Sequence, residues 1–332
     1  MRINALFIFI IFVVITGTAM AEGLKLPPGA GICAGRATAL AEKGKIQQAI
    51  DLLEKFNSKK AGKTESMVLA RGYNHYYIHF LLGNYYLMLA RGDRDQKSND
   101  SRYAEAIEHF KDCLDKNHEF SAAWLNLAMA FYEASMFAKA AKSFEKGYET
   151  SKSPEPVHLY YACVCRLQAG AVKKAFDTFT RLMKNHPDKI KLQWKETWVT
   201  ILFGLKRFRQ ALPYIEELAA KSGRPADRKW KKILLYQYMN LNMNQKALDY
   251  AGSLVRSDPV CPEWWKALCH LYLDKNLYEK GLASLIIYGY LSPMTREELR
   301  LEADLYRCLN IPDKASEIYK KIENLQGSSA KP

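Results

Sequence analysis

The chain has 332 residues, of which 48% are apolar and 25% are charged, and its formal net charge is +14. This balance excludes an intrinsically disordered chain and a protein with many membrane spans. Glycine and proline are sparse, at 18 and 12 residues, which favours long helices joined by short turns over a β-sheet protein.

The first 21 residues have the features of an export signal. Arg2 supplies a positive charge, an apolar run extends from Ala5 to Ile15, and Ala19-Met20-Ala21 is a small-x-small cleavage site. We therefore expect cleavage at that site, a mature chain that begins at Glu22, and a periplasmic location. The alternative is an uncleaved N-terminus that anchors the chain in the inner membrane, although its apolar stretch of 17 residues is short for a span.

A small residue recurs along the rest of the chain, at intervals of 34 to 36 residues from Ala106 onward. A small side chain at a regular position lets two helices cross closely, so the recurrence predicts a repeat of paired helices. The positions are Ala49, Ala106, Ala140, Ala175, Ala211, Ala247, Gly281 and Ala315.

Residues that tolerate a left-handed backbone stand five positions before several of these small residues, and they predict the end of the first helix of each pair. They are Gly44, Gly170, Asn242, Asn276 and Asn310. Three prolines stand twelve positions after the small residue and predict the end of the second helix. They are Pro187, Pro259 and Pro293.

The clearest repeat begins at Trp124 and reads W-x2-L-A-x2-F, followed by Ala140, Phe144 and Gly147. It resembles the tetratricopeptide repeat, which shows W-x2-L-G-x2-Y and then A-x3-F-x2-A over 34 residues, except that Gly147 stands where the family prefers alanine. The resemblance implies an all-α fold, a right-handed superhelical solenoid of about eight helical hairpins over residues 22–326, with a concave face lined by first helices.

Two segments depart from the period. The interval between Ala49 and Ala106 is 57 residues, so the second repeat is enlarged. We expect its first helix to extend from Met67 to Ala90 and its extra residues to form a polar loop at 91–102. The tail at 327–332 is expected to be disordered.

The sequence contains no catalytic motif that we recognise, so we predict no enzymatic activity and no cofactor. Gly62-Lys63-Thr64 resembles the end of a phosphate-binding loop, but Asn57 stands where the first glycine is required. His75 and His79 are four residues apart on the predicted helix, a spacing that suits a metal ion. No third ligand is evident nearby, so we predict no metal site.

The seven cysteines are an odd number, so at least one thiol has no partner within the chain. Cys163 and Cys165 are two apart on a predicted helix and should diverge. Most of the cysteines are expected to pack in the core, and the sequence leaves open whether any pair is oxidised.

In the tetratricopeptide family, partners are extended or helical peptide segments bound in the concave groove. Carrying that pattern over, we predict a groove that mixes aromatic, cationic and amide side chains and binds a segment with acidic or C-terminal carboxylate groups. The residues in the predicted groove are Asn126, Met129, Tyr132, Tyr160, Val164, Lys229, Lys232, Tyr236, Asn240, Lys266, His270 and Arg300.

Residues 230–321 resemble more narrowly the periplasmic tetratricopeptide proteins that accompany TonB–ExbB–ExbD systems, on runs such as Pro262-Glu263-Trp264-Trp265-Lys266-Ala267-Leu268 and Tyr288-Gly289-Tyr290-Leu291. That resemblance implies a non-enzymatic envelope scaffold accessory to energy transduction. The alternative is a scaffold for polysaccharide export or for peptidoglycan and outer-membrane assembly. A third reading, a cytoplasmic RNA-associated repeat protein, rests only on the basic charge, and the export signal disfavours it.

Overall fold

A computed structural model describes residues 26–92, 96–221 and 228–327 of the chain. Within these ranges every regular element is a helix, which confirms the predicted all-α fold. None of the helices in the described ranges combines the length and the apolar content needed to cross a bilayer. The predicted export signal and residues 328–332 of the predicted tail lie outside the described residues.

The described residues divide into two compact units, one that ends at residue 205 and one that begins at residue 206. The helices of the first unit are α1 Pro28–Glu42, α2 Ile46–Ser58, α3 Glu65–Arg71, α4 Tyr76–Gly92, α5 Gln96–Lys116, α6 Ser121–Glu133, α7 Phe137–Thr150, α8 Pro156–Gln168, α9 Val172–Asn185 and α10 Leu192–Gly204. Four hairpins are formed by α1 with α2, α4 with α5, α6 with α7 and α8 with α9. The second helix of each hairpin packs on the first helix that follows, and α9 packs on α10 in the same way.

The second unit repeats this pattern. Its helices are α11 Phe208–Ala220, α12 Arg228–Asn240, α13 Asn244–Ser257, α14 Pro262–Leu273, α15 Tyr278–Leu291, α16 Arg296–Cys308 and α17 Pro312–Gly327. Hairpins form between α12 and α13, α14 and α15, and α16 and α17, and α11 packs on α12. The repeated hairpin predicted from the sequence is therefore present in both units.

All eight of the small residues are buried. At Gly281 a Cβ atom would lie 2.8 Å from Cδ2 of Leu273, which is on the other helix of the hairpin. The crossing is equally tight at Gly83 of α4, where a Cβ atom would lie 2.6 Å from the ring of the fully buried Phe110 in α5. At Gly147 a Cβ atom would lie 2.5 Å from Cδ2 of Leu125. Leu125 thus occupies the space that the family's alanine fills, which explains the departure from the family pattern.

The predicted helix ends are confirmed: Gly44, Gly170, Asn242, Asn276 and Asn310 all have φ between 56° and 75°. Two further residues, Ser135 and Lys206, stand at the repeat-equivalent positions with φ of 57°. Sequence reasoning missed both because serine and lysine do not favour this conformation. The turn imposes it, since the N–H of Met136 must reach the carbonyl of Phe131, 2.7 Å away.

The enlarged second repeat differs from the prediction in two respects. The helix expected from Met67 to Ala90 is split, because α3 ends at Gly72 with φ of 72° and Asn74 follows with φ of 63°. The polar loop expected at 91–102 is also wrong, because α4 continues to Gly92 and residues 96–102 form the start of α5. Those seven residues are polar but include neither glycine nor proline, so nothing in them breaks a helix.

All seven cysteines are free thiols, and all except Cys308 are buried. The expectation that most of them pack in the core is confirmed. Burial raises the pKa of the Cys113 thiol to about 12, and that of Cys165 likewise to about 12. These groups therefore remain protonated and pack as small apolar side chains.

Replacing Ser135 by glycine should stabilise the first unit by about 1 kcal/mol, because a left-handed serine is strained and glycine is not. Replacing Gly170, at the same position of the next hairpin, by alanine should destabilise it by a similar amount. Urea denaturation midpoints measure both effects. Equal midpoints for the two variants would contradict the assignment of strain to this turn.

Candidate functional site

The predicted groove positions of the first unit lie on α6 and α8, and several of them hold first helices together. Tyr160 is 5% exposed, its ring stacks on Trp194 of α10 at 4.7 Å, and its hydroxyl lies 3.1 Å from Oγ1 of Thr197. Asn126 donates from Nδ2 to Oδ1 of Asn84 in α4, at 2.6 Å. These side chains therefore link one first helix to its neighbour.

Met129 and Tyr160 correct the groove prediction, because both are buried and unavailable to a partner. We expected these positions to face solvent because they face away from the second helix of their hairpin. Tyr160 instead packs on Trp194 of α10, and Met129 is part of the hydrophobic core. Tyr132 and Val164 are half-buried, and the ring of Tyr132 meets that of Phe137 edge to face at 5.5 Å. The first unit thus offers little of the predicted groove.

In the second unit the predicted positions on α12 are exposed. Lys229, Lys232, Tyr236 and Asn240 follow one another at intervals of three or four residues, so they share one face of the helix. Tyr236 is 43% exposed. The ammonium of Lys229 lies over the ring of Trp230 at 4.8 Å, so this cation already has an aromatic partner.

This face continues onto the neighbouring first helices. Nζ of Lys232 lies 3.9 Å from Oε1 of Glu263 on α14. His270 of α14 and Arg300 of α16 are exposed. We call the set Lys229, Lys232, Tyr236, Asn240, His270 and Arg300 the tyrosine–cation face.

Arg300 also lines a cavity of about 380 Å³ on the last hairpin. The cavity lies between α16 and α17, with Tyr319 on one side and Glu297 on the other. A guanidinium beside a carboxylate leaves this opening with no strong preference for either sign of charge. We therefore do not place a ligand there.

Lys266, another predicted groove residue, has partners within the second unit, although its side chain is 45% exposed. Its ammonium forms an ion pair with Glu298 of α16 and lies 5.6 Å from the ring centre of Tyr288. The Tyr288 hydroxyl donates to Oε1 of the same carboxylate at 3.0 Å. Glu298 also completes a capping box, accepting from the backbone N–H of Thr295 at 2.7 Å.

These contacts determine the charge state of Glu298. Burial by itself would raise its pKa, but the hydrogen bonds from Lys266, from the Thr295 backbone and from Tyr288 outweigh burial and lower the pKa from 4.5 to about 2. The same hydrogen bond raises the pKa of Lys266, with a smaller contribution from the nearby Tyr236. The pair is therefore charged at neutral pH and connects α14 to α16 beneath the tyrosine–cation face.

The histidine pair considered from the sequence does not converge. α4 begins at Tyr76, so His75 precedes the helix, and its Nδ1 accepts from the backbone N–H of Tyr77 at 3.2 Å. His79 faces α5, where His109 and Asp112 lie. Sequence spacing gave no signal for this meeting, because about thirty residues of a hairpin separate the partners.

Replacing Glu298 by glutamine should make the free energy of unfolding depend less strongly on pH in the acidic range. The wild-type pKa is lower in the folded state, so its stabilisation is complete above about pH 4.5 and is lost as the pH falls toward about 2. Between these two pH values, the urea midpoint should decline less steeply with falling pH in the variant than in the wild type. At neutral pH the urea midpoint of the variant should already be lower. The control is Glu297→Gln, in the same turn but exposed, and its urea midpoints should follow those of the wild type. If the urea midpoint of Glu298→Gln fell with pH as steeply as that of the wild type, the assignment would be refuted.

Residues 89–156 match the sequence model of the tetratricopeptide repeat family, a match that covers about a fifth of the chain. No curated protein matches the chain. The segment 89–156 therefore carries a recognisable tetratricopeptide repeat, and the likeness of the rest rests on its fold.

Among solved structures, the chain is similar to the complex of Naa15 and Naa10 bound to HypK, with a TM-score of 0.53 and 16% identity over 83% of this chain and 39% of that one. It is also similar to a tetratricopeptide repeat protein of Parabacteroides merdae, at a TM-score of 0.44 and 11% identity over 83% of this chain and 98% of that one. The match to PilF of Pseudomonas aeruginosa has a TM-score of 0.38 and 14% identity, over 63% and 92%. At these identities the likeness concerns the fold alone: the chain has the helical-hairpin fold of tetratricopeptide repeat proteins.

Proposed function

We propose that the chain is a non-enzymatic scaffold that binds a protein partner on the tyrosine–cation face of the second unit. The observation that carries this proposal is the exposure of Tyr236. Tyr236 and Met129 each stand eleven residues before the small residue of their own repeat, yet Met129 is 7% exposed and Tyr236 is 43% exposed. The second unit thus presents to solvent an aromatic ring at a position where α6 of the first unit buries a methionine.

The chemistry around Tyr236 suits a peptide with carboxylate groups. Tyrosine offers a large contact area and loses little side-chain entropy on binding, which makes it common at binding surfaces. Lys232 lies one turn before it and Asn240 one turn after it, so a cation and an amide flank the ring. His270 and Arg300 add donors on the neighbouring helices, and the net charge of +14 attracts an acidic partner from a distance.

The matches with known proteins support the binding role through the fold. Tetratricopeptide arrays stack hairpins into extended surfaces, and such surfaces hold other proteins. The similar structure, that of Naa15 and Naa10 bound to HypK, is a complex of several proteins. This similarity of fold does not identify the partner of the present chain. The residues of the tyrosine–cation face determine which partner binds.

For the location we propose export to the periplasm, and for the pathway an accessory role in a TonB-type transport system. The first rests on the leader-like residues 1–21, the second on the resemblance of residues 230–321 to TonB-associated repeat proteins. A scaffold for polysaccharide export or for peptidoglycan and outer-membrane assembly is the competing proposal. The identity of the bound partner separates the two.

A photo-crosslinking amino acid at Tyr236 should capture a discrete partner in intact cells. The same amino acid at Tyr290 is the matched control, because Tyr290 is 87% exposed but lies on the second helix of its hairpin. We expect the adduct at position 236 to be at least about tenfold stronger, and weakened by the charge reversal Lys232→Glu. Mass spectrometry of the adduct then shows whether the partner belongs to a TonB complex or to an assembly pathway.

Equal adducts at the two positions, or an adduct at 236 that Lys232→Glu leaves unchanged, would refute the tyrosine–cation face as the binding surface. Lys266 is left intact in these variants because its ion pair with Glu298 supports α16. A loss of binding in a Lys266 variant would report damage to the fold as well as to the surface. The contact of Lys232 with Glu263 is long and exposed, so its reversal should leave the unit folded.

Export predicts that the mature protein lacks its first 21 residues. The intact mass of protein recovered from the periplasmic fraction should correspond to a chain that begins at Glu22. Replacing Ala21 by a bulky residue such as tyrosine should block processing and leave the longer chain in the membrane fraction. A full-length chain in the cytoplasmic fraction of the wild type would contradict the proposed location.

A further inference from the structure

We propose that His79, His109 and Asp112 in the first unit form a binding site for a divalent transition-metal ion of the zinc type. Nδ1 of His79 lies 3.3 Å from Nδ1 of His109 and 3.4 Å from Oδ2 of Asp112. One ligand atom from each residue lies within 4.8 Å of the other two. In a tetrahedral zinc site with bonds of about 2.1 Å, neighbouring ligand atoms are about 3.4 Å apart.

The tautomer of His79 follows from its neighbours. Nε2 of His79 lies 2.8 Å from Oδ1 of Asn74, and Nζ of Lys60 lies 3.4 Å from the same atom. An ammonium only donates, so this amide atom is the acceptor and Nε2 of His79 carries the hydrogen. The neutral ring therefore presents a lone pair at Nδ1. Histidine ligands of metals are held in the same way, with the other ring N–H bonded to an oxygen.

Without a cation, the contact between His79 and Asp112 brings two acceptors together at 3.4 Å. The ring of His79 is only 4% exposed, and a buried imidazole with no anion bonded to it is more stable neutral than charged. A proton on Nδ1 of His109 can join the two rings but leaves the carboxylate facing a lone pair. A divalent ion satisfies all three atoms together.

The other two ligands are held by α5 and its surroundings. His109 and Asp112 are three residues apart, so they project from one face of the helix. The ring of His109 stacks on that of Tyr86 at 5.5 Å and 22°, and the Tyr86 hydroxyl donates to Glu54. The side chain of Asp112 is 51% exposed, which opens the cluster to ions from solvent.

The ligand types select the class of ion. Two imidazoles and one carboxylate suit zinc and similar transition metals, whereas magnesium and calcium require oxygen ligands. The next residue, Cys113, is fully buried in the hydrophobic core and is not part of the three-residue cluster. Three protein ligands leave one tetrahedral position for water or for a donor atom of another molecule.

The test is a zinc titration of tag-free, full-length protein in competition with a chromophoric chelator. We expect the wild type to bind one zinc ion tightly per chain. The affinity for zinc should fall by at least about tenfold in His109→Gln and in Asp112→Asn. Cobalt(II) should give the intense visible absorption of a tetrahedral site in the wild type and not in these variants. Zinc should also raise the melting temperature of the wild type.

The control is His118→Gln, because His118 is 82% exposed and lies outside the cluster, and it should bind zinc as the wild type does. Asp112→Asn alters a half-exposed side chain, so it tests the site even if His109→Gln reduces the stability of the unit. Circular dichroism shows whether each variant is folded. Zinc affinity that survives in Asp112→Asn and His109→Gln, or a wild type that binds no zinc, would overturn the proposal.

Discussion

The close crossing of two helices within each hairpin is the constraint on which the rest of the molecule depends. At Gly83, Gly147 and Gly281 the absence of a Cβ atom lets a large side chain from the partner helix fill the space between the backbones. The contact of Phe110 with Gly83 shows how tight this is, since no Cβ atom fits between them. Both units are built from repeats of this contact, so each hairpin is stable only through its neighbours.

The two units use their first helices differently. In the first unit, side chains such as Tyr160 and Asn126 bond to the next first helix and are withdrawn from solvent. In the second unit Lys266 is bound in this way, through Glu298, whereas Tyr236 is 43% exposed and Lys232 and Asn240 on either side of it are exposed as well. A binding role is therefore easier to assign to the second unit than to the first.

The irregular second repeat has a different consequence. Its first helix is preceded by a break at Gly72 and Asn74, and the left-handed backbone at Asn74 brings its amide to His79. The long helix α5 then supplies His109 and Asp112 to the same point. A polar cluster is thus built in the one repeat whose length departs from the period.

The sequence alone determined the helical hairpin, its period and most of its turns, because the small residues, glycines and asparagines obey local steric rules that do not depend on distant contacts. It also predicted the exposed residues of α12, since their spacing follows from helix geometry. The left-handed Ser135 and Lys206, the buried Met129 and Tyr160, the pairing of Lys266 with Glu298 and the meeting of His79 with His109 were decided by tertiary structure. Each depends on which side chain the neighbouring helix presents, and that choice is made only when the hairpins pack together.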